Sequence, residues 1–241
     1  MGYGGLMGKF LFCGWKISIL KTMNIHDIFN QFCYDLQNRT AIMTEDNIRY
    51  YWFASMLQQD SQLNNYTLEQ PYFASPLSIT NLSNEELDLF YLNKASNDCF
   101  CFEIKFHRSH KQSSSAKTSE AGTVINDLQR LLQISTLIKG TKAHRLLLYV
   151  TDDIMHNYYT SMGQPDTDFG QQLNDFYNAQ VNDPINIDFT GAPKTFLDSA
   201  NKSLNNQDLI VFSNLQLILS RDFTCGSASF NGDCHVRLYE I

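Results

Sequence analysis

Two apolar, aromatic-rich runs, at residues 87–92 and 99–106, lie on either side of the polar segment 93–98. This segment reads NKASND and consists of residues that favour turns. Two such runs joined by a short turn segment predict a β-hairpin. The hairpin commits the chain to a sheet, and the alternation of side chains along its second arm decides which residues can meet.

Successive side chains of a strand point to opposite faces, so the second arm of the hairpin has two chemically different faces. One face is apolar and consists of Phe100, Phe102, Ile104 and Phe106. The other face consists of Cys99, Cys101, Glu103 and Lys105. In the first arm Asp88 interrupts an apolar run, and pairing across the turn brings it close to Glu103.

Two carboxylates and a lysine at one end of a hairpin form a candidate site for a hard divalent cation. Mg²⁺ binds oxygen ligands, typically one or two carboxylates together with water and substrate phosphate. A bound metal lowers the pKa of water, and a lysine stabilises negative charge in a transition state. Burying Glu103 and Lys105 in an aromatic strand is costly without such a purpose. The alternative, an ion pair on an edge strand, stays open.

The spacing of Asp88, fourteen intervening residues and Glu103-Ile104-Lys105 resembles the D…(D/E)-x-K signature of the PD-(D/E)xK, or restriction-endonuclease-like, nuclease superfamily. The resemblance implies that Asp88 and Glu103 are metal ligands, with the Ile104 carbonyl as a third, and that Lys105 is the catalytic lysine. It also implies Mg²⁺ or Mn²⁺ as the cofactor and DNA as the substrate. Leu87 stands where the motif has its proline.

A second segment, TEDNIRYYWF at residues 44–53, predicts a helix that begins after Thr44. Glu45 and Asp46 lie in its first turn, where the helix dipole favours negative charge. The pattern TED-x-x-RY looks like the segment of bacterial relatives in this superfamily that carries an early-helix glutamate. The resemblance implies that Glu45 is an additional metal ligand. A first-turn acid paired with Arg49 needs no site, and this alternative stays open.

Basic residues are concentrated next to the proposed site. The whole chain has a formal net charge of −7, which argues against a general polyanion binder. Residues 105–145 nevertheless contain eight lysines and arginines against two acids, as expected for phosphate contact, although a solvated loop and helix would look similar. We predict that a mobile loop after Lys105 and a helix at about 121–138 contact nucleic acid. The predicted contacts are Arg108, Lys111, Lys117 and Arg130.

The segment AGTVINDLQRL resembles the corresponding helix of some members of the family, in which an aspartate and an arginine, three residues apart, face the site. In this chain they are Asp127 and Arg130, and the resemblance implies that Arg130 holds a phosphate. A surface ion pair between the same two residues is the alternative.

Two cysteines and two histidines offer a rival interpretation. Cys99, Cys101, His107 and His110 have the pattern C-x-C-x5-H-x2-H. Structural zinc prefers ligands on turns, with two to four residues between them, whereas both cysteines here are expected within a strand. We therefore predict that the cysteines pack as small apolar residues and that both histidines lie on the loop.

The order of elements predicts the fold class. Residues 145–150 are a continuous apolar run, typical of a buried central strand, and strand, helix and strand in succession predict a parallel pair. Residues 60–85 are expected to be a loop with one short extended piece. We predict an α/β fold with a central mixed sheet and helices on both faces, which the resemblance implies is the restriction-endonuclease-like three-layer α/β/α sandwich. Residues 23–241 are expected to form one domain, and residues 1–22 an N-terminal extension, either disordered or upstream of the true start.

The resemblance implies a metal-dependent nuclease that hydrolyses phosphodiester bonds of DNA, whereas the residues alone indicate a metal and phosphate site beside a basic loop and helix. The alternatives are an inactive restriction-like fold that binds nucleic acid or protein, and an unrelated acidic α/β protein. The six cysteines lack the spacing of a disulfide framework, so we expect reduced thiols in a cytoplasm. No membrane segment is expected, and a homodimer remains an option.

Overall fold

The computed structural model describes residues 22–39, 44–108, 114–162, 167–203, 211–225 and 233–241. In these ranges the helices are α1 (Ile25–Gln37), α2 (Glu45–Leu57), α3 (Ser114–Leu132), α4 (Asp153–Asn157), α5 (Asp168–Tyr177) and α6 (Lys194–Ala200). The strands are β1 (Tyr66–Pro71), β2 (Glu86–Asn93), β3 (Asp98–His107), β4 (Leu137–Ile138), β5 (Thr141–Asp152), β6 (Pro184–Asp188), β7 (Val211–Thr224) and β8 (Asp233–Glu240). None of these helices is long and apolar enough to cross a membrane.

A central mixed sheet has the strand order β1-β2-β3-β5-β8-β7-β6, and β4 pairs with β5 outside this path. The predicted hairpin is confirmed, because β2 and β3 are antiparallel and Asn93 pairs with Asp98. The predicted parallel pair is also confirmed, since β3 runs parallel to β5 with Lys105 opposite Tyr149. The remaining pairs are antiparallel. The fold is therefore mixed α/β, with an open sheet.

Helices cover both faces of the sheet. On one face α1 and α2 pack against Phe100, Phe102 and Ile104, and the ring of Trp52 lies 5.4 Å from that of Phe102. On the other face α3, α4, α5 and α6 form a core with Cys99, Cys101 and their neighbours. The two faces predicted for the second arm of the hairpin are confirmed.

The N-terminus of α2 is fixed by its cap, as predicted for Thr44. The Thr44 hydroxyl accepts a hydrogen bond from the Asn47 N–H, and the Asn47 side chain accepts one from the Thr44 N–H. This reciprocal arrangement satisfies two donors that a helix end otherwise leaves unpaired. It holds the first turn of α2, which includes Glu45, beside the end of β3.

The bounds of α3 differ from the prediction. Residues 114–120, predicted as loop, are its first turns, and residues 137–138 pair with β5 rather than extending it. Tertiary contacts decide this, because Ser119 Oγ lies 2.7 Å from Ser199 Oγ of α6. The two helices approach closely at Gly122, where an added Cβ would lie 2.5 Å from the Phe196 carbonyl oxygen.

The C-terminal third also differs from the prediction. The sequence of this third predicts two short strands, at 209–212 and 215–219, whereas the structure has one strand there, β7, in the described range, together with a strand β6 that the sequence does not predict. The expected break lies at Ser213 and Asn214, polar residues that favour turns, but both are exposed positions within β7.

Candidate functional site

The candidate site lies where β2 and β3 stop pairing. The last pair of their ladder is Leu89 with Phe102, and Asp88 is the next residue of β2. The carboxylate of Asp88 accepts a hydrogen bond from the Ile104 N–H at 2.6 Å, in place of a ladder bond. In a strand the N–H and C=O of one residue point to the same side, so the Ile104 carbonyl faces Asp88 as well.

Glu103 precedes Ile104 and is almost completely buried, with 1% of its surface exposed. Its Oε1 accepts a hydrogen bond from the Tyr72 hydroxyl at 2.6 Å, and its Oε2 accepts one from Arg130 at 3.0 Å. Burial raises the pKa of Glu103 well above its ordinary value, although the charge of Arg130 opposes this shift. Both carboxylate oxygens are thus held by donors from other parts of the chain.

Lys105 extends between two carboxylates that belong to helices on opposite faces of the sheet. Its Nζ lies 3.5 Å from Oε2 of Glu45 in α2 and 3.6 Å from Oδ2 of Asp127 in α3. Burial lowers the pKa of Lys105, but Asp127, Glu45 and the carboxylates of β2 and β3 outweigh burial and raise it. Lys105 is therefore an ammonium ion at neutral pH and serves as a positive charge rather than as a base.

Two arginines, one from each face of the sheet, bind carboxylates of the site. Arg130 donates to Glu103, to Asp127 at 2.7 Å and to Glu85 at 2.5 Å. From the opposite face, Arg49 lies 2.7 Å from Oδ1 of Asp88. The Nε atoms of both arginines are buried and have no hydrogen-bond partner within the described part of the chain.

We call the charged groups around the end of β3 the carboxylate cluster. Its acids are Glu45, Asp88, Glu103 and Asp127. Its cations are Arg49, Lys105 and Arg130. When all these groups are ionised, the four acids outnumber the three cations by one, and Glu85, which also pairs with Arg130, adds a further acid at the edge of the cluster. Four buried or half-buried acids are costly to keep charged unless positive charge accompanies them.

The donors of the carboxylate cluster are of the chemical type that a hard divalent cation binds. Carboxylate oxygens and a main-chain carbonyl are the ligands that Mg²⁺ and Mn²⁺ prefer, and Mg²⁺ needs only one or two protein carboxylates besides water. Among the residues that the structure describes, no three His, Cys, Asp or Glu side chains are placed to hold one ion together. Arg49 and Arg130 instead pair with Asp88 and Glu103, the carboxylates that a metal ion would have to bring together.

The chain matches no protein-family model, no curated protein and no solved structure. Any functional conclusion therefore depends on the chemistry of the carboxylate cluster.

Most of the predicted site residues meet in this cluster. Asp88, Glu103, Lys105, Glu45 and Arg130 all contribute to it. The interpretation of Glu103 and Lys105 as an ion pair on an edge strand is wrong, because β3 lies between β2 and β5.

Two expected ion pairs differ from the sequence prediction. Glu45 contacts Lys105 and the Phe106 N–H, whereas Arg49 contacts Asp88, so the alternative in which Glu45 pairs with Arg49 is wrong. Asp127 and Arg130 do form an ion pair, but Asp127 is only 4% exposed, so the pair is not on the surface.

The residues predicted to bind nucleic acid are spread more widely. Lys117 is half-buried near the start of α3, about 20 Å along the helix axis from Arg130. Arg108 is half-buried and directly follows β3. Lys111 lies outside the described residues.

The histidine and cysteine positions do not form the rival zinc arrangement. His107, predicted on a loop, is instead the last residue of β3 and is 8% exposed. Its ring hydrogen-bonds with the Tyr149 hydroxyl at 2.9 Å and with Thr123 at 3.3 Å. Cys99 and Cys101 are fully buried in the core, where we predicted that they pack. His110 lies outside the described residues.

Tyr72 and Glu85 belong to the site but were not predicted. Both lie in the segment predicted as loop, and no periodicity or motif marks them. Tyr72 reaches the site because a backbone hydrogen bond from its N–H to Glu85 closes the loop between β1 and β2. The sequence did point to Asp127, because it lies three residues before Arg130 on a predicted helix.

Proposed function

We propose that this protein is a metal-dependent nuclease that hydrolyses phosphodiester bonds of DNA. One observation carries the proposal: the Asp88 carboxylate binds the N–H of Ile104, the residue between Glu103 and Lys105. The Asp88 carboxylate therefore lies beside the main chain between Glu103 and Lys105, the two residues that the D…(D/E)-x-K pattern combines with it. A purely structural cluster does not require this order of residues.

The proposed ligands of Mg²⁺ or Mn²⁺ are Asp88, Glu103 and the Ile104 carbonyl, with Glu45 as an additional acid. A bound metal supplies positive charge and a water of lowered pKa. Lys105, kept as an ammonium ion by Glu45 and Asp127, stabilises negative charge that develops on the phosphate.

Positions of the supporting residues are consistent with these roles. Tyr72 and Arg130 hold the two oxygens of Glu103, which fixes the orientation of its carboxylate. Hydrogen bonds of this kind orient metal ligands in proteins generally. Arg130 also places a guanidinium, a group well suited to phosphate, beside the proposed metal position.

The fold supports the same proposal. The carboxyl ends of the parallel strands β3 and β5 meet at one edge of the sheet, where α/β proteins commonly bind ligands. The carboxylate cluster lies toward the carboxyl end of β3. Helices on both faces of a mixed sheet are what the proposed restriction-endonuclease-like sandwich requires, and the basic segment after β3 would provide contacts to the DNA backbone.

A second candidate function is a binding module for nucleic acid or protein without cleavage. The observation that favours it is the pairing of both proposed metal ligands with guanidinium groups, Asp88 with Arg49 and Glu103 with Arg130. Pairs of this kind stabilise a fold without a metal. The two functions differ in whether a divalent cation binds and DNA is cut.

The test is cleavage of plasmid, linear and single-stranded DNA in Mg²⁺ or Mn²⁺, with a chelator as control. We expect cleavage by the wild type and at least a roughly 100-fold loss in D88N and K105M, as is usual when a group that stabilises the transition state is removed. K194M, which removes an exposed lysine of α6, is the matched control and should cleave normally. Equal cleavage by wild type and D88N would contradict the proposal, and DNA binding without cleavage would favour the second candidate.

A further inference from the structure

Two histidine rings stack on each other where α4 meets the start of β8. The ring centroids of His156 in α4 and His235 in β8 are 3.8 Å apart, and their planes differ by 7°. Neither ring belongs to the carboxylate cluster. The stacking contact joins a short helix to the sheet through two side chains that can each take up a proton.

The geometry of His235 is that of a charged ring. Its Nε2 lies 2.9 Å from a carboxylate oxygen of Asp153, and its Nδ1 lies 3.1 Å from one of Asp222. An ionised carboxylate only accepts hydrogen bonds, so both ring nitrogens carry a proton when both bonds are formed. Arg237 donates to the same oxygen of Asp222 at 2.6 Å. Two cations and two acids therefore balance each other beside His156.

His156 lies where a proton is unfavourable. Its Nδ1 is buried and has no hydrogen-bond partner among the described residues, so a charged ring would leave an unsatisfied N–H there. Burial lowers the pKa of His156, and the charges of His235 and Arg237 lower it further. Asp222 and Asp153 oppose this shift, but their oxygens already bind those two cations.

We propose that the stacked pair is a pH-sensitive switch, which holds α4 against β8 while His156 is neutral and releases α4 when His156 takes up a proton. The proton adds a third cation beside two acids, and like charges then face each other at stacking distance. In the released state the ring is solvated and ionises as an ordinary histidine. The contact is therefore fully formed above about pH 6.5 and is lost as pH falls below that value. The switch requires neither a metal nor nuclease activity.

The position of α4 gives its release a consequence. The helix has five residues and continues directly into a π-helical turn, Tyr158–Met162. Such turns are rare and are frequent at functional positions. The Tyr159 hydroxyl of this turn accepts a hydrogen bond from the Tyr149 hydroxyl, which also hydrogen-bonds with His107 at the end of β3. Hydrogen bonds thus connect the segment after α4 to the strand that carries Lys105.

The experiment is hydrogen–deuterium exchange of the wild type, H156F and H26Q at pH 7.5 and pH 5, corrected for intrinsic exchange rates. In the wild type we expect the α4 peptide to lose about ten-fold in protection at pH 5, since one pH unit shifts such an opening equilibrium by at most about ten-fold. The α2 peptide, which contains no histidine, reports any general loss of stability.

The two variants separate the proton from the ring. H156F keeps a ring that stacks on a charged His235 but cannot take up a proton, so its α4 should stay protected at both pH values. H26Q changes an exposed histidine of α1 and should behave like the wild type. Equal protection of α4 at both pH values in the wild type, relative to α2, would overturn the proposal. So would an equal loss of protection in H156F and the wild type.

If H156F does not fold, nuclear magnetic resonance of the wild type decides between the outcomes. The Cε1–H resonance of His156 and the amide resonances of α4 should shift with one common midpoint, below about pH 6.5. Amide resonances of α4 that stay in place while His156 takes up its proton would overturn the switch.

Discussion

Asp88 and Ile104 are joined by a 2.6 Å hydrogen bond from a main-chain N–H to a carboxylate, across the point where their strands separate. The carboxylate takes the place of a carbonyl in the ladder and, at the same time, remains bound to Arg49 through its other oxygen. Asp88 consequently has a structural role and a proposed catalytic role that two different substitutions can separate.

Asparagine at position 88 keeps an oxygen that can accept from the Ile104 N–H but removes the charge. We expect D88N to lose metal-dependent DNA cleavage and to be destabilised less than D88A, because it keeps an acceptor for the Ile104 N–H but turns its amide NH2 toward Arg49. D88A should also unfold more easily, by about 1–3 kcal/mol, because the Ile104 N–H and Arg49 lose a partner. Cleavage rates and urea denaturation of both variants check this, and full cleavage by D88N would contradict the role of the charge.

Tyr72 is predicted to stabilise the protein through a single hydroxyl group. Y72F removes the donor to Oε1 of Glu103, which is buried and has no access to water in compensation. We expect a loss of about 1–3 kcal/mol in the free energy of unfolding, measured by urea denaturation. Y34F is the matched control, since the Tyr34 side chain is 61% exposed on α1 and should tolerate the change. A stability equal to that of Y34F would mean that the hydrogen bond contributes nothing.

The hairpin that carries this site was predictable from the sequence because its signals are local. Apolar runs, turn residues and the alternation of side chains decide strand pairing and faces over short distances. The same alternation placed Glu103 and Lys105 on one face. Their charges, in an otherwise apolar strand, indicated a functional site. The parallel pairing of β3 with β5 followed from the order of elements.

The partners of the site residues were not predictable, because they come from distant parts of the chain. Tyr72 is 31 residues from Glu103, and the segment that carries it has no periodicity. Local rules predicted that Arg49 would pair with Glu45 one turn away, whereas the fold brings it to Asp88. The start of α3 was missed because small polar residues favour loops locally, whereas contacts of Thr118 with Tyr158 and of Ser119 with α6 favour the helix.

The buried His107 should make the protein sensitive to acid. Burial, assisted by the positive charge of Lys105, lowers the pKa of His107 to about 3. The unfolded chain, in which a histidine has a pKa of about 6.5, therefore binds a proton that the folded protein does not between these values. The stability that depends on a neutral His107 is fully present above pH 6.5. It is lost as pH falls toward 3, by roughly 1.4 kcal/mol per pH unit.

Replacing His107 with glutamine should remove this slope. Denaturation of H107Q and the wild type at several pH values between 4 and 7 gives the comparison, with H26Q as a control that changes an exposed histidine of α1. A wild-type slope in H107Q would show that another group causes the loss of stability in acid.

His235 should have the opposite effect on the pH dependence of stability. Its ring lies between Asp153 at 2.9 Å and Asp222 at 3.1 Å. Burial lowers the pKa of His235, but the hydrogen bonds to Asp222 and Asp153 outweigh burial and raise it above the ordinary value. A histidine with a raised pKa stabilises the folded state fully below its unfolded pKa, and this contribution is lost as pH rises through the raised value.

We therefore expect H235Q to destabilise the protein more at pH 6 than at pH 9, because the charged ring exists only at the lower pH. The difference should be about 1 kcal/mol, the usual net contribution of one hydrogen bond, because the neutral ring can donate to only one of the two aspartates. Urea denaturation of the wild type and H235Q at both pH values measures it, and D222N should reduce the same difference by removing one of the two carboxylates. A loss that is equal at pH 6 and pH 9 would mean that the ring is held in its neutral form and that the two aspartates do not favour its protonation.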